Sequence, residues 1–128
     1  MAHKNVEILR RTDETMQAGD VEGFFGTFTD DVVIHVPGRH SFAGSYKGID
    51  QFRGLFEKFM QHAGDYSFEN HTYLADDEHG VAMQHSTYEK QGRRLAMDEV
   101  FICHFRDGKV SEMWYLAGDQ QALDEFLG

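Results

Sequence analysis

The chain has 128 residues, an apolar fraction of 41% and a formal net charge of −10. Its length suits a single domain over residues 1–128 with a real core, and its acidity excludes a protein built to hold a nucleic-acid backbone, which needs basic patches. No stretch approaches the ~20 apolar residues of a spanning helix, and the start, MAHKNVEILRR, has no continuous apolar run of the signal-peptide kind, so a cytoplasmic protein without a membrane role is expected.

In chain order, Asn5 to Ala18 carries Val6, Leu9 and Met16 at helical spacing. Gly19 suits a left-handed helix end and Asp20 an N-cap. The second predicted helix, Val21 to Phe28, holds Phe24, Phe25 and Phe28. A strand follows over Asp31 to Val36, then a loop to Gly48 with the single proline, Pro37, between His35 and His40. The third helix, Ile49 to His62, places Ile49, Phe52, Phe56 and Phe59 at three- and four-residue steps. After Gly64 the period changes to two, predicting strands over 65–75, 80–90, 93–106 and 109–118, with turns at Gln91-Gly92 and Asp107-Gly108. A short helix over Asp119 to Phe126 closes the chain. Helices first and antiparallel strands after make an α+β fold, with helices against one face of a curved sheet and a cavity between them.

The two hairpin turns predict which side chains share a face. With two-residue turns, His85 opposes Asp98, Ile102 opposes Met113 and Val100 opposes Tyr115. One face then holds His85, Asp98, Val100, Met113 and Tyr115. The other holds Gln84, Glu99, Phe101, Trp114 and Leu116. A carboxylate opposite an imidazole fixes the ring's tautomer and raises its basicity, so Asp98 and His85 form a candidate proton-transfer dyad. Glu99 opposite Gln84 is the competing candidate, and the pattern leaves open which face lines the pocket. Cys103, the one cysteine, cannot form an internal disulfide, which fits a reducing compartment; it reads as a small buried apolar residue. There is no HExxH, no HxH, no cysteine pair, no glycine-rich phosphate loop and no GxSxG elbow, so neither a metal nor a cofactor is expected.

Several of these segments resemble the nuclear transport factor two-like superfamily: the paired N-terminal helices, the "ADDV-strand-PG"-like punctuation, "GSYKGIDQF" at the entry to the third helix, and "CHFRDGKVSEMWYL" at the last hairpin. Within it the chain is similar to the SnoaL-like branch, named for polyketide cyclases, over about residues 5 to 127. The resemblance implies a cone of three N-terminal helices closed by a strongly curved antiparallel sheet, as in ketosteroid isomerases and cystatin-like folds. The ketosteroid isomerase positions fall on Thr12, Val36 and Val100 (or Phe101), which lack that chemistry. Polyketide cyclases use an acidic residue on the penultimate strand with a histidine on the strand before it, for which Asp98 and His85 are the nearest matches. By the same resemblance, the end of the first strand lines the pocket mouth. His35 then donates to a substrate oxygen, Phe42 and Tyr46 wall the rim, and Tyr115, Met113 and Val100 complete the substrate surface. The superfamily's habit also implies a homodimer through the outer sheet face, with Trp114, Leu116 and Phe101 as its apolar patch.

Three functions follow as expectations. The first is a cofactor-free isomerase or cyclase moving a proton on a small apolar carbonyl or polyketide-like substrate. The second is a non-catalytic carrier or sensor of an apolar metabolite. The third is an interaction module whose cavity is filled by Phe24, Phe28 and Phe56.

Overall fold

A computed structural model describes residues 3–128. Helix α1 (Val6–Gln17) buries Val6, Ile8 and Leu9. Asn5 makes no side-chain cap; its amide instead donates to the carbonyls of Asp76 and Asp77 at 3.0 and 3.2 Å, pinning the start of α1 to a distant turn. Helix α2 (Val21–Phe25) is capped by Asp20, whose carboxylate accepts from the Gly23 amide at 3.0 Å. It ends three residues earlier than predicted. The Thr27 hydroxyl folds back onto the Phe24 carbonyl at 2.8 Å, and the Thr27 carbonyl accepts from the Val110 amide at 2.9 Å. Phe28 therefore starts strand β1 (Phe28–Val36) rather than ending a helix. A short strand, β2 (Gly44–Lys47), lies in the segment read as loop and pairs antiparallel with β1.

Helix α3 (Ile49–His62) and strand β3 (Asp65–Ala75) occur at the predicted bounds. Strands β4 (His79–Lys90), β5 (Arg93–Arg106) and β6 (Lys109–Ala117) and helix α4 (Gln120–Leu127) follow. The six-stranded sheet has the order β2-β1-β6-β5-β4-β3, with β1 parallel to β6. Both hairpin turns take two residues at positive φ, Gln91-Gly92 at 53° and 77° and Asp107-Gly108 at 54° and 74°, as a right-twisted hairpin demands. Lys90 therefore pairs with Arg93, and His85 with Asp98.

The last hairpin keeps its two-residue turn but departs from the predicted register beyond it. Arg106 pairs with Lys109, but Phe105 pairs with Val110 and His104 with Glu112, so Ser111 is an extra, bulged residue on β6. Beyond it every partner moves by one: Ile102 faces Trp114, Phe101 faces Tyr115 and Cys103 faces Met113. With a side-chain period of two, that slip exchanges faces. Met113 and Tyr115 join Glu99, Phe101 and Cys103. Trp114 and Leu116 join Asp98, Val100 and Ile102 on the outside.

The helices cover the concave face. Phe24, Phe25, Phe28 and Phe52 pack edge to face, with ring centroids 4.9–5.2 Å apart for Phe28–Phe52 and Phe25–Phe52, in a core cluster that includes Val32, Ile34, Cys103 and Val110. A second cluster joins α4, through Leu123 and Phe126, to Tyr88 and Met97. A cavity lies between the two.

Candidate functional site

The cavity has a volume of about 210 Å³, smaller than the ~300–1,000 Å³ of common ligand sites. Phe24, Phe28 and Phe56 stand in its wall and leave it open. Among the described residues that line it there is no lysine or arginine.

At its sheet end four adjacent strands converge on one carboxylate. Alternation turns Gln84, Ser86 and Tyr88 of β4 inward, and places Tyr66 of β3, Glu99 of β5 and Tyr115 of β6 beside them. Glu99 is 0% exposed. Its Oε1 accepts from the Tyr66 hydroxyl at 3.1 Å, from the Gln84 amide at 2.8 Å and from the Ser86 hydroxyl. Its Oε2 accepts from the Tyr88 hydroxyl at 2.5 Å and from the Tyr115 hydroxyl. Five donors and no cation surround a buried acid, the arrangement in which a carboxylate is kept by hydrogen bonds alone. Tyr66, Gln84, Tyr88 and Tyr115 line the cavity in front of it. Burial, and then the charge of Glu99, pushes the Tyr66 and Tyr115 phenols well above the ordinary range. For Tyr88 burial again leads, followed by its phenol neighbour Tyr66 and by Glu99. All three hydroxyls are thereby held as donors.

The predicted site residues divide by face. Asp98 and His85 are paired at 3.2 Å, but their side chains are 77% and 57% exposed; they sit on the outer face because Glu99 and Gln84 occupy the inner one. His35 also faces outward. Its ring stacks on Trp114 at 5.0 Å and bonds Glu112 at 2.7 Å and Ser45 at 2.9 Å, since it pairs with Trp114 across the parallel β1–β6 contact. Val100 lies on the outer face between Met83 and Leu116. Tyr46 packs against the core without lining the cavity, and its hydroxyl is engaged by the Phe42 carbonyl at 2.7 Å. Tyr115, Met113 and Phe42 do line the cavity. Met113 and Tyr115 reach it through the Ser111 bulge, away from Asp98.

Sequence reasoning passed over Tyr66, Ser86 and Tyr88. Their signal was the alternation Gln84-Ser86-Tyr88, and the run Leu95-Met97-Glu99-Phe101-Cys103, an apolar set interrupted by one acid. His40, in the loop after Pro37, is 6% exposed and lines the cavity. Cys103 lines it too, with its thiol pushed up to about 12 by burial, a state far from a ready nucleophile.

The comparisons bear on the fold. The structure of Bal32a, from a soil-derived mobile gene cassette, superposes with a TM-score of 0.90 at 26% identity, covering 97% of this chain and 96% of that one. TerC, co-crystallised with polyporic acid, gives 0.86 at 18% identity over 96% and 97%. A proposed SnoaL-like polyketide cyclase from Jannaschia sp. CCS1 gives 0.76 at 21% identity over 96% and 90%. Other neighbours are described as cystatin-like or NTF2-like in fold. A comparison with curated protein sequences gives no significant match. The family model of the SnoaL-like domain matches residues 9–113, and with the helix-lined cone and its cavity this places the chain in the SnoaL-like domain family of the NTF2-like superfamily.

Proposed function

We propose that the cavity is the active site of a cofactor-independent enzyme that moves a proton on a small, uncharged carbonyl compound of isomerase or cyclase type. The observation that carries this is Glu99: a fully buried acid with no cationic partner, fronted by three phenols that line the cavity. A substrate carbonyl oxygen takes a hydrogen bond from Tyr66, whose 3.1 Å bond is the longest of those to Glu99. With Tyr66 turned to the substrate, Glu99 Oε1 keeps its Gln84 and Ser86 donors and, through the opening that Tyr66 leaves, accepts the proton from the carbon next to the carbonyl. The C–H electron pair passes into the carbonyl, and the enolate oxygen is held by the phenol. Return of the proton to another carbon restores Glu99 and completes an isomerisation. The absence of lysine and arginine from the lining disfavours anionic substrates.

The test needs no natural substrate. Exchange of the methyl protons of 4-hydroxyacetophenone in D2O, followed by NMR, should be faster with protein than with buffer. It should fall about 100-fold or more in Glu99→Gln and by about 100-fold in Tyr66→Phe. Exchange no faster than buffer, or unchanged in Glu99→Gln, defeats the reading.

A non-catalytic binding protein is the second reading. It is favoured by the completeness of the Glu99 network, which needs no ligand to satisfy the carboxylate. For a partner, the reading adds a second copy on the outer sheet face, where Leu116 is 41% exposed beside Trp114, Ile102 and Val100. Phe101, expected in that patch, faces the cavity instead. Sedimentation that gives only monomer at micromolar concentration refutes the pairing. No helix among the described residues is long and apolar enough to cross a membrane, and a cytoplasmic location remains part of the proposal.

A further inference from the structure

Four buried side-chain atoms among the described residues lack a hydrogen-bond partner, and three of them belong to residues lining the cavity: Asp13 Oδ1, Asn70 Oδ1 and His40 Nε2. Unpartnered buried polar atoms are scarce in folded proteins, because each has lost its water without gaining a partner. Their concentration around one cavity, outside the Glu99 cluster, points to a ligand.

The three atoms differ in sign. The His40 Nδ1 accepts from the Phe42 amide at 3.1 Å, so in the neutral ring the proton sits on Nε2. Burial lowers the ring's proton affinity, with Asp124 and the Pro37 carbonyl acting the other way. The Pro37 carbonyl lies close to the ring, and Nε2 makes no hydrogen bond. His40 is thus a neutral donor. Asp13 and Asn70 present acceptors. The other Asp13 oxygen is held by the Tyr73 hydroxyl at 2.6 Å, which fixes the carboxylate's orientation. His40 comes from the β1–β2 loop and Asn70 from β3, at opposite ends of the strand order. Small side-chain shifts, common on binding, bring these shielded atoms to a ligand.

We propose that His40, Asp13 and Asn70 are the specificity-determining residues of the cavity. His40 donates to the second lone pair of the carbonyl oxygen that Tyr66 also reaches, and Asp13 with Asn70 accept from a hydroxyl or amine at the ligand's other end. This rests on the reading of the cavity as a ligand site, but not on catalysis.

Three probes separate the two poles: 4-hydroxyacetophenone has both groups, 4-methoxyacetophenone lacks the donor, and 4-ethylphenol lacks the carbonyl. Affinities are measured with the full chain by NMR titration. The hydroxyketone should bind about tenfold tighter than either analogue. Asn70→Leu should bring the methoxy compound to within about twofold of it, and His40→Phe should do the same for ethylphenol. Asp13→Asn, which keeps an oxygen for Tyr73, should also reduce the hydroxyl preference. Asp98→Asn, on the outer face, should leave both preferences in place. Equal binding of the three probes, no binding of any, or preferences that survive Asn70→Leu and His40→Phe overturns the assignment. Preferences that hold while proton exchange is absent defeat the catalytic reading alone.

Discussion

Replacing Glu99 by leucine removes the acceptor that five donors share. The Tyr66, Tyr88, Tyr115 and Ser86 hydroxyls can rotate toward one another, and two contacts already exist for this, Tyr88 to Tyr115 at 3.4 Å and Tyr66 to Ser86 at 3.5 Å. The Gln84 amide also reaches the Tyr66 hydroxyl at 2.8 Å and the Ser86 hydroxyl at 3.0 Å. Closing that ring leaves at least one or two donors stranded, at about 1–3 kcal/mol each, so Glu99→Leu should cost about 2–5 kcal/mol. Relief from burying an acid offsets part of this. In Glu99→Gln the new amide fits best on the Oε2 side, where a phenol can turn to accept, because Gln84 presents its NH2 group on the Oε1 side. That variant should lose less than about 2 kcal/mol. Urea unfolding reads both, at about 1–3 kcal/mol per molar for a small domain. A Glu99→Leu protein as stable as the parent, or less damaged than Glu99→Gln, would falsify the view that the cluster depends on its acceptor.

The exposed pair on the outer face should matter little: Asp98→Asn and His85→Ala are each expected within about 0.5 kcal/mol of the parent in the monomer and without effect on probe binding. A loss of binding in either would return them to the site. Cys103, 1% exposed and with its thiol raised to about 12, should resist iodoacetamide in the native state and react once urea unfolds the chain; prompt native labelling contradicts the packing. His40 has its folded pKa below the unfolded 6.5. As pH falls through about 6.5 the unfolded state takes up the proton first, so stability is full above that value and declines below it. The loss between pH 7.5 and 5.5 should therefore be larger in the parent than in His40→Phe, and equal losses in the two proteins argue against a buried neutral ring.

The local elements were legible where chemistry acts over a few residues. Helix α3 and strand β3 fall at their predicted bounds because four apolar residues at helical spacing and a clean change to period two leave one solution each. The Gln91-Gly92 turn delivered the His85–Asp98 pairing, since two positive-φ residues close a hairpin in one register. Strand β2 was missed because Gly44-Ser45-Tyr46-Lys47 has no alternation of its own; it is a strand only by pairing with β1.

The sequence by itself determined the order of elements apart from β2, the curved-sheet class, the family and the β4–β5 pairing of residues across two faces. Only the tertiary structure decided which face is concave. Helices α1 to α3 cover the side that carries Gln84 and Glu99, and one bulged residue, Ser111, moves Tyr115 and Met113 to that side while sending Trp114 outward. A bulge has no compositional mark, and with a period of two a single extra residue reverses every side chain beyond it. The pattern favoured Asp98 with Glu99 as its competitor; which of the two is buried on the cavity side is decided by packing across four strands rather than by any local signal.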